Sequence, residues 1–355
     1  MPIKIIAEAG SNHNGDIKIA KTLVDKAVEA GADYVKFQII NPDTLYVPFY
    51  WDKNEKVQNP VHSRRKSESL TFNEWSNIND YALKKGIRFT ASIFDEAGAD
   101  FLKSINAPFI KLASSDLNNL PLIKYIAKLN IPTILSTGMA NLEEIKLSVD
   151  TFKKYTTIDN LSLLHCVSVY PCKLEKTRLY QIDILKSEFN CKVGFSDHTM
   201  NSISACVAVT KGIHFVEKHF TLDKTMDGFD HKYASDLNEF KGYVSNIRSI
   251  ERSLFEREIK TGEEVTKVRA RRGIYLNKAL KKDDKILREH ISIVRPSNGL
   301  NPKDIDRLEG LFVGEEIREF EALEICDNKV YPDKSFNWKN ASTYWSNEMR
   351  EKKML

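Results

Sequence analysis

The chain has 355 residues, 42% of them hydrophobic and 10% aromatic, which is enough for a large core and about twice the ~150-residue prior for one domain. Fifty-three Lys and Arg against 49 Asp and Glu leave a net charge of +4, with both signs mixed along the sequence. Such a composition excludes a disulfide-stapled miniprotein, a collagen-like fibre and a disordered tail, and it argues against a dedicated nucleic-acid binder while leaving room for local anion sites.

From the N-terminus onward, short β-branched or aromatic runs alternate with amphipathic stretches, the rhythm of βα units in a parallel sheet. Strands are predicted at Ile3–Glu8, Tyr34–Gln38, Arg88–Ser92, Phe109–Ala113, Thr133–Ser136, Leu161–His165, Lys192–Ser196 and His214–His219. Helical patterns follow each, among them Ile17–Ala30 and Leu142–Lys154, and Gly31, Gly86 and Gly212 stand where helices should stop. Eight strands and eight helices close most naturally into an α/β fold of the (β/α)8 barrel (TIM barrel) type, with an open doubly wound sheet as the alternative. The segment Ile39–Leu70 is long for a βα loop and carries Trp51 and the cluster Arg64-Arg65-Lys66; it reads either as a cover over the site or as a solvated surface loop.

Beyond Ser235 the pattern changes. Leu237–Phe255 reads as one long helix and Glu256–Val268 as a charged linker, after which short apolar runs broken by Asp283-Asp284, Pro296, Asn298-Gly299 and Gly314 suggest a small mixed or mostly β domain. The resulting division is a barrel at 1–255, a linker at 256–270, a small domain at 271–332 and a tail at 333–355. Five cysteines without a C-x-x-C pair fit reduced thiols. The first residues lack a signal-peptide apolar region, and no run of about 18 apolar residues exists to span a membrane. The expectation is a cytoplasmic protein without membrane or nucleic-acid partners.

Barrel enzymes carry their chemistry at the C-terminal ends of the strands. Here those ends hold Glu8, Lys36, Gln38, Ser92, Lys111, Ser114, Ser136, His165, Ser196, His198 and His219. Lys36 and Lys111 lie inside apolar strands, where an ammonium is costly unless paired or facing a cavity. Together with the hydroxyls they point to a phosphorylated or carboxylated ligand; neutralisation by core carboxylates and Schiff-base chemistry are the other readings. His198 and His219 end adjacent strands and could share one divalent ion, or they could be hydrogen-bonded structural residues. Asp230 and His231 follow the last strand on a loop, and Asp230 could bring a carboxylate over the rim. These features reach a metal-assisted barrel enzyme acting on a small anion, without naming its reaction.

Six motifs go further. Ile-Ala-Glu-Ala-Gly-Ser-Asn-His-Asn-Gly-Asp (6–16), Val-Lys-Phe-Gln (35–38), Ser-Thr-Gly-Met (136–139), His-Cys-Val-Ser-Val-Tyr-Pro (165–171), Gly-Phe-Ser-Asp-His-Thr (194–199) and Glu-Lys-His-Phe-Thr-Leu-Asp-Lys (217–224) resemble the N-acetylneuraminate (sialic acid) synthase family. That family includes legionaminate and pseudaminate synthases. The likeness runs over about residues 3–330 in conserved order, and Val-Arg-Pro-Ser-Asn-Gly-Leu (294–300) with Leu-Phe-Val-Gly (311–314) resembles its antifreeze-like (SAF) domain.

The resemblance implies condensation of phosphoenolpyruvate (PEP) with the aldehyde of an N-acylated amino sugar, N-acetylmannosamine by default, giving a nonulosonic acid and phosphate with C–O cleavage. A 2,4-diacetamido-2,4,6-trideoxyhexose acceptor, and a non-catalytic sugar-binding barrel, are the alternatives. By the same resemblance Lys36, Ser92, Lys111, Ser114, Ser136, Ser168 and Ser196 would hold PEP. His198 and His219 would ligate Mn2+ or Mg2+, and Asp116 would handle the added water. Glu8, Gln38, Tyr170 and Asp230 would contact sugar or intermediate, with Glu8 counted among the catalytic groups. Arg295 would reach the sugar's acyl group in a neighbouring subunit, which implies a domain-swapped homodimer.

The chain departs from the family pattern mainly on the sugar side. Ser115-Asp116 replaces a common Gly-Glu, Ser168 a frequent Asn, and Phe229 a common Pro, while Lys-Tyr-Ala-Ser (232–235) stands where Lys-Ala-Ser-Leu is common.

Overall fold

The computed structural model describes residues 2–255 and 263–335 and divides into two compact units, Met1–Glu256 and Arg257–Leu355. In chain order the first unit contains β1 (Lys4–Gly10), α1 (Ile17–Glu29), β2 (Tyr34–Ile39), α2 (Pro42–Leu45), β3 (Phe49–Asp52), β4 (Glu55–Gln58), α3 (Pro60–Glu68) and α4 (Phe72–Lys84). It continues with β5 (Arg88–Ile93), α5 (Glu96–Ser104), β6 (Ile110–Leu112), α6 (Leu120–Leu129), β7 (Thr133–Ser136), α7 (Leu142–Lys153), β8 (Leu161–Cys166), α8 (Gln181–Phe189), β9 (Lys192–Asp197), α9 (Ile203–Thr210), β10 (Phe215–His219) and α10 (Leu237–Phe255). Eight strands form a closed barrel in the order β1-β10-β9-β8-β7-β6-β5-β2, every pair parallel. This is the (β/α)8 barrel.

Local sequence explains the helices. In α1 the Asp16 side chain accepts from the amides of Lys18 and Ile19, and Ala20, Leu23, Val24 and Ala27 are buried along one face, the spacing of an amphipathic helix. Capping boxes at Thr71/Glu74 and Asn141/Glu144 open α4 and α7. Gly31, Gly86 and Gly212 carry positive φ of 80°, 81° and 68°, the left-handed backbone that ends a helix at little steric cost.

The stretch read from sequence as a long loop contains α2, the β3–β4 hairpin and α3. Asn41 and Asn59 cap the two helices, each followed by a proline at the first helical turn. Lys53 and Asn54, with φ of 46° and 72°, make the tight hairpin turn. Short elements like these lack a long hydrophobic period, so composition alone did not separate them from coil.

Inside the barrel, side chains alternate strictly. Ile5, Ala7, Val35, Phe37, Ala91, Leu112, Leu163, Phe195 and Val216 join the core between strands and helices. Ile6, Phe109, Ile134 and Leu164 form a separate buried cluster with Tyr34 and Phe215 against it, a plug across the barrel interior. Tyr34 and Phe109 meet edge-on at 5.2 Å, and Phe109 and Phe215 at 6.1 Å. Gly194 completes this layer without a side chain.

The second unit holds α11 (Glu263–Ala270), β11 (Gly273–Leu276), β12 (Ile291–Val294), α12 (Ile305–Leu308), β13 (Phe312–Val313), β14 (Leu323–Cys326) and β15 (Lys329–Pro332). Its core includes Ile274, Leu276, Leu280, Ile286, Leu308, Val313, Ile317, Leu323 and Val330. The expected linker at 256–270 is thus helical from Glu263 to Ala270, while 256–262 lies outside the described residues. The expected tail lies outside them from residue 336 onward. All five cysteines are free, with Cys166 and Cys172 buried and Cys326 exposed. Among the described residues no helix is long and apolar enough to cross a membrane.

A methyl group on Gly194 would come within 2.4 Å of Leu164 Cδ2 and 2.6 Å of the Phe215 carbonyl oxygen. Gly194→Ala should therefore lower the stability of the barrel by about 1–3 kcal/mol, read as a fall in the thermal midpoint of the first transition. An unchanged midpoint would show that the plug has slack.

Candidate active site

One residue pair above the plug, the same alternation delivers polar side chains. Period two carries Ile6 to Glu8, Tyr34 to Lys36, Phe109 to Lys111, Ile134 to Ser136, Leu164 to Cys166 and Phe215 to Glu217. Glu8, Lys36, Gln38, Ser92, Lys111, Ser114, Ser136, Ser168, Tyr170, Ser196, His198 and His219 all line one cavity of about 320 Å³, the size range of small-molecule sites. These are twelve of the fifteen residues to which the family resemblance gives a role.

The cavity floor is an ion network. Lys36 Nζ lies 2.6 Å from Glu8 Oε2 and 3.6 Å from Glu217 Oε2, and it donates to Ser92 Oγ at 2.9 Å. Gln38 Nε2 donates to Glu8 Oε1 at 3.1 Å, and Ser196 Oγ to Glu217 Oε1 at 3.0 Å. Lys111 Nζ donates to Ser136 Oγ at 2.6 Å and to the Leu112 carbonyl at 2.8 Å, and among the described residues it has no carboxylate at ion-pair distance. Both lysines are buried.

Protonation follows from these surroundings. Burial works against the Lys36 ammonium, but the Glu217 and Glu8 charges more than offset it and hold its pKa above the ordinary lysine value. For Lys111 burial wins and its pKa falls. Burial also raises Glu8 despite its lysine, whereas Lys36 and Lys111 overcome burial at Glu217 and hold it low. The floor thus carries one neutralised lysine and one with hydroxyl and carbonyl partners only.

At the rim, His198 Nδ1 donates to the Val167 carbonyl at 2.7 Å, which leaves the Nε2 lone pair free of that bond. Burial, with His219 beside it, drives the His198 pKa down to about 3, so the ring is neutral near pH 7. His219 stands 5.8 Å away between ring centroids, and its buried Nδ1 has no hydrogen-bond partner. Tyr170 covers His198 at 4.1 Å and meets His219 edge-on at 5.8 Å. His198 Nε2, with only a long 3.4 Å contact to Ser196 Oγ, and the unpartnered His219 Nδ1 are donor atoms of the kind that suit a divalent cation. Among the described residues no group of three or more His, Cys, Asp and Glu side chains forms a ready-made cation site, so an ion here would need water or substrate to complete its shell.

Three expected residues stand off the cavity wall. Asp230 Oδ2 is 3.8 Å from His219 Nδ1, at the edge of the site. Asp116 is buried behind Ser114 and Ser115, accepting from Ser115 Oγ at 2.8 Å and Asn119 Nδ2 at 3.3 Å; burial raises its pKa. Arg295 belongs to the second unit, exposed just after β12. His165, considered for the wall, instead points outward: it donates from Nε2 to the Thr177 carbonyl at 2.7 Å and stacks on Phe195.

Sequence reasoning missed Glu217 and Cys166, both lining the cavity. The signal for Glu217 was period two, since it sits two residues before His219 with Lys218 turned to the outer face, where its Nζ meets Asp197 Oδ2 at 3.7 Å. Cys166 follows Leu164 by the same step, and its Sγ lies 3.1 Å from Ser114 Oγ.

Comparison with known proteins gives a family match over residues 23–258 to the model described as NeuB family. The chain is 38% identical to an N,N'-diacetyllegionaminic acid synthase of Legionella pneumophila, covering 86% of this chain and 89% of that one. It is 35% identical to a pseudaminic acid synthase of Campylobacter jejuni, covering 91% and 96%. Among solved structures it resembles an N-acetylneuraminic acid synthetase of Leptospira borgpetersenii in complex with citrate, with a TM-score of 0.66, 31% identity and coverage of 74% and 90%.

The ion network yields a contrast in stability. Lys36→Met strands two buried carboxylates and should cost about 3–5 kcal/mol. Lys111→Met removes an ammonium with no carboxylate at ion-pair distance, attracted to Glu217 only at longer range, and should cost clearly less, about 1 kcal/mol or under. Urea titration of the two variants checks this, and equal losses would refute the assignment of charges.

Proposed function

The chain belongs to the NeuB family, and from that premise we propose that it condenses PEP with the aldehyde of an N-acylated amino sugar to give a sialic-type nonulosonic acid and phosphate. The observation that carries this reading is the buried Lys111, held by a hydroxyl and a carbonyl beside an already neutralised Lys36. A phosphorylated carboxylate would supply the missing counter-charge and find Ser92, Ser114, Ser136, Ser168 and Ser196 as hydroxyl partners on the same wall.

PEP's C3 attacks the aldehyde carbon, water adds at C2, and the C2–O bond breaks to release phosphate and leave the 2-keto acid. In this scheme the lysines and serines fix the phosphate and carboxylate, so that C3 faces the acceptor. Glu8, Gln38, Tyr170 and Asp230 orient the sugar. Asp116, whose pKa burial raises, takes and returns the proton of the added water from behind the wall. His198 Nε2 and His219 would hold Mn2+ or Mg2+, which when bound would act as a Lewis acid on the acceptor. The second unit is proposed to be an SAF-type domain whose Arg295 serves a neighbouring subunit in a domain-swapped homodimer. The L. pneumophila relative at 38% identity is named for N,N'-diacetyllegionaminic acid, which supports a 2,4-diacetamido-2,4,6-trideoxyhexose acceptor beside the default N-acetylmannosamine.

A second reading has its own support. The depressed pKa of Lys111 also suits a Schiff-base aldolase, and borohydride trapping of pyruvate on that lysine separates the two.

The deciding experiment offers the purified protein Mn2+, PEP and, in parallel, N-acetylmannosamine, its 6-phosphate and 2,4-diacetamido-2,4,6-trideoxyhexoses, scored for phosphate and a new 2-keto acid by mass. One acceptor should give product, chelation should stop the reaction and added Mn2+ should restore it. His219→Ala should lower kcat by at least about 100-fold with the fold intact. Failure of PEP to bind, or turnover that survives both chelation and His219→Ala, would overturn the corresponding part of the proposal.

A further inference from the structure

Tyr233 ends a short helix, His231–Tyr233, that begins directly after Asp230. Its hydroxyl donates to Asp230 Oδ1. Its ring lies 4.9 Å from that of Tyr170 and meets His219 edge-on at 6.1 Å. Tyr233 does not line the cavity, so it reaches the site through these three neighbours.

The other carboxylate oxygen of Asp230 faces a shared space. A methyl group on Gly10 would come within 3.0 Å of Asp230 Oδ2, 3.5 Å of Gln38 Nε2 and 3.6 Å of Glu8 Oε1. Three acceptor or donor groups therefore surround a spot where the chain has no side chain of its own. One oxygen of Asp230 is tethered, and the other is presented beside Gln38 and Glu8.

The loop is moored on its far side as well. Phe229 lies under the Arg65 guanidinium at 3.8 Å and the Arg64 guanidinium at 4.9 Å, and Arg64 pairs with Asp227 at 3.2 Å. Cation–π contacts of this kind hold the Phe229 end of the loop. The backbone is held too, by Ala234 N–H donating to the Asp230 carbonyl at 3.1 Å and by the His231–Thr221 contact at 2.6 Å; the Tyr233 hydroxyl is the bond made to the Asp230 carboxylate itself, and burial with the Asp230 charge keeps the phenol protonated as a donor.

We propose that Tyr233 is a positioning residue for the acceptor sugar: it fixes the Asp230 carboxylate so that Oδ2 accepts a hydrogen bond from a hydroxyl or amide N–H of the amino sugar. This inference rests on the condensation proposed above. It also gives the unusual Lys-Tyr-Ala-Ser stretch a role on the sugar side, with the phosphate side untouched.

Tyr233→Phe keeps the ring and removes one hydroxyl. With whichever of N-acetylmannosamine and the diacetamido-trideoxyhexoses turns over, it should raise the acceptor KM roughly tenfold, the size expected for a lost hydrogen bond to a charged group, while the KM for PEP stays within about twofold. Asp230→Asn should raise the acceptor KM at least as much, and adding Tyr233→Phe to it should have no further effect, because both changes act on one carboxylate. An unchanged acceptor KM, an equal rise for PEP, or additive effects in the double variant would each overturn the inference while leaving the synthase reading in place. A wild-type protein that makes no product from any acceptor would instead refute the synthase reading, and this inference with it.

Discussion

The site depends on how a closed parallel barrel disposes of buried charge. Each strand contributes alternate residues to the interior, and the lower of the two layers described is filled by apolar side chains from Ile6 to Phe215. That plug excludes water from below, so the groups one step higher, Glu8, Lys36, Lys111 and Glu217, meet at low dielectric and must balance among themselves or await a ligand. The two carboxylates are spent mainly on Lys36. Lys111 keeps only a carbonyl and a hydroxyl as partners, and on the proposed reading it is this lysine, with the serine hydroxyls around it, that meets the substrate anion.

Much of this was legible in the sequence because strands and their ends obey short-range rules. The barrel strands lie within two residues of their expected bounds, since β-branched runs and glycine stops are strong local signals. The site residues that end strands were found for the same reason. Glu217 escaped although it lies two residues before His219 on the same face of the strand; alternation sends Glu217 inward to Lys36 and Lys218 outward to Asp197. The short elements between β2 and α4, and α11 in the expected linker, escaped because they carry no long hydrophobic period. His165 shows the converse error, a polar strand end on the outer face of its strand, bonded to Thr177.

The two sides of the cavity differ in construction. The side proposed for phosphate is made of strand residues and their first followers, held by backbone ladders. The side proposed for the sugar draws on loop residues, with Asp230 and Tyr233 beyond β10 and the arginines of α3 stacked on Phe229. Strand positions are fixed by the whole barrel, whereas loop positions are fixed by a few side-chain contacts.

The clasp between α3 and Phe229 ties two segments that are far apart in the chain. Whatever alters one alters the seat of the other: a proline in place of Phe229 would leave two arginines facing a missing ring, and a shortened α3 would release the loop that bears Asp230. On the proposed reading, acceptor preference is therefore a bipartite trait. Recombination between relatives would preserve it only when both segments travel together.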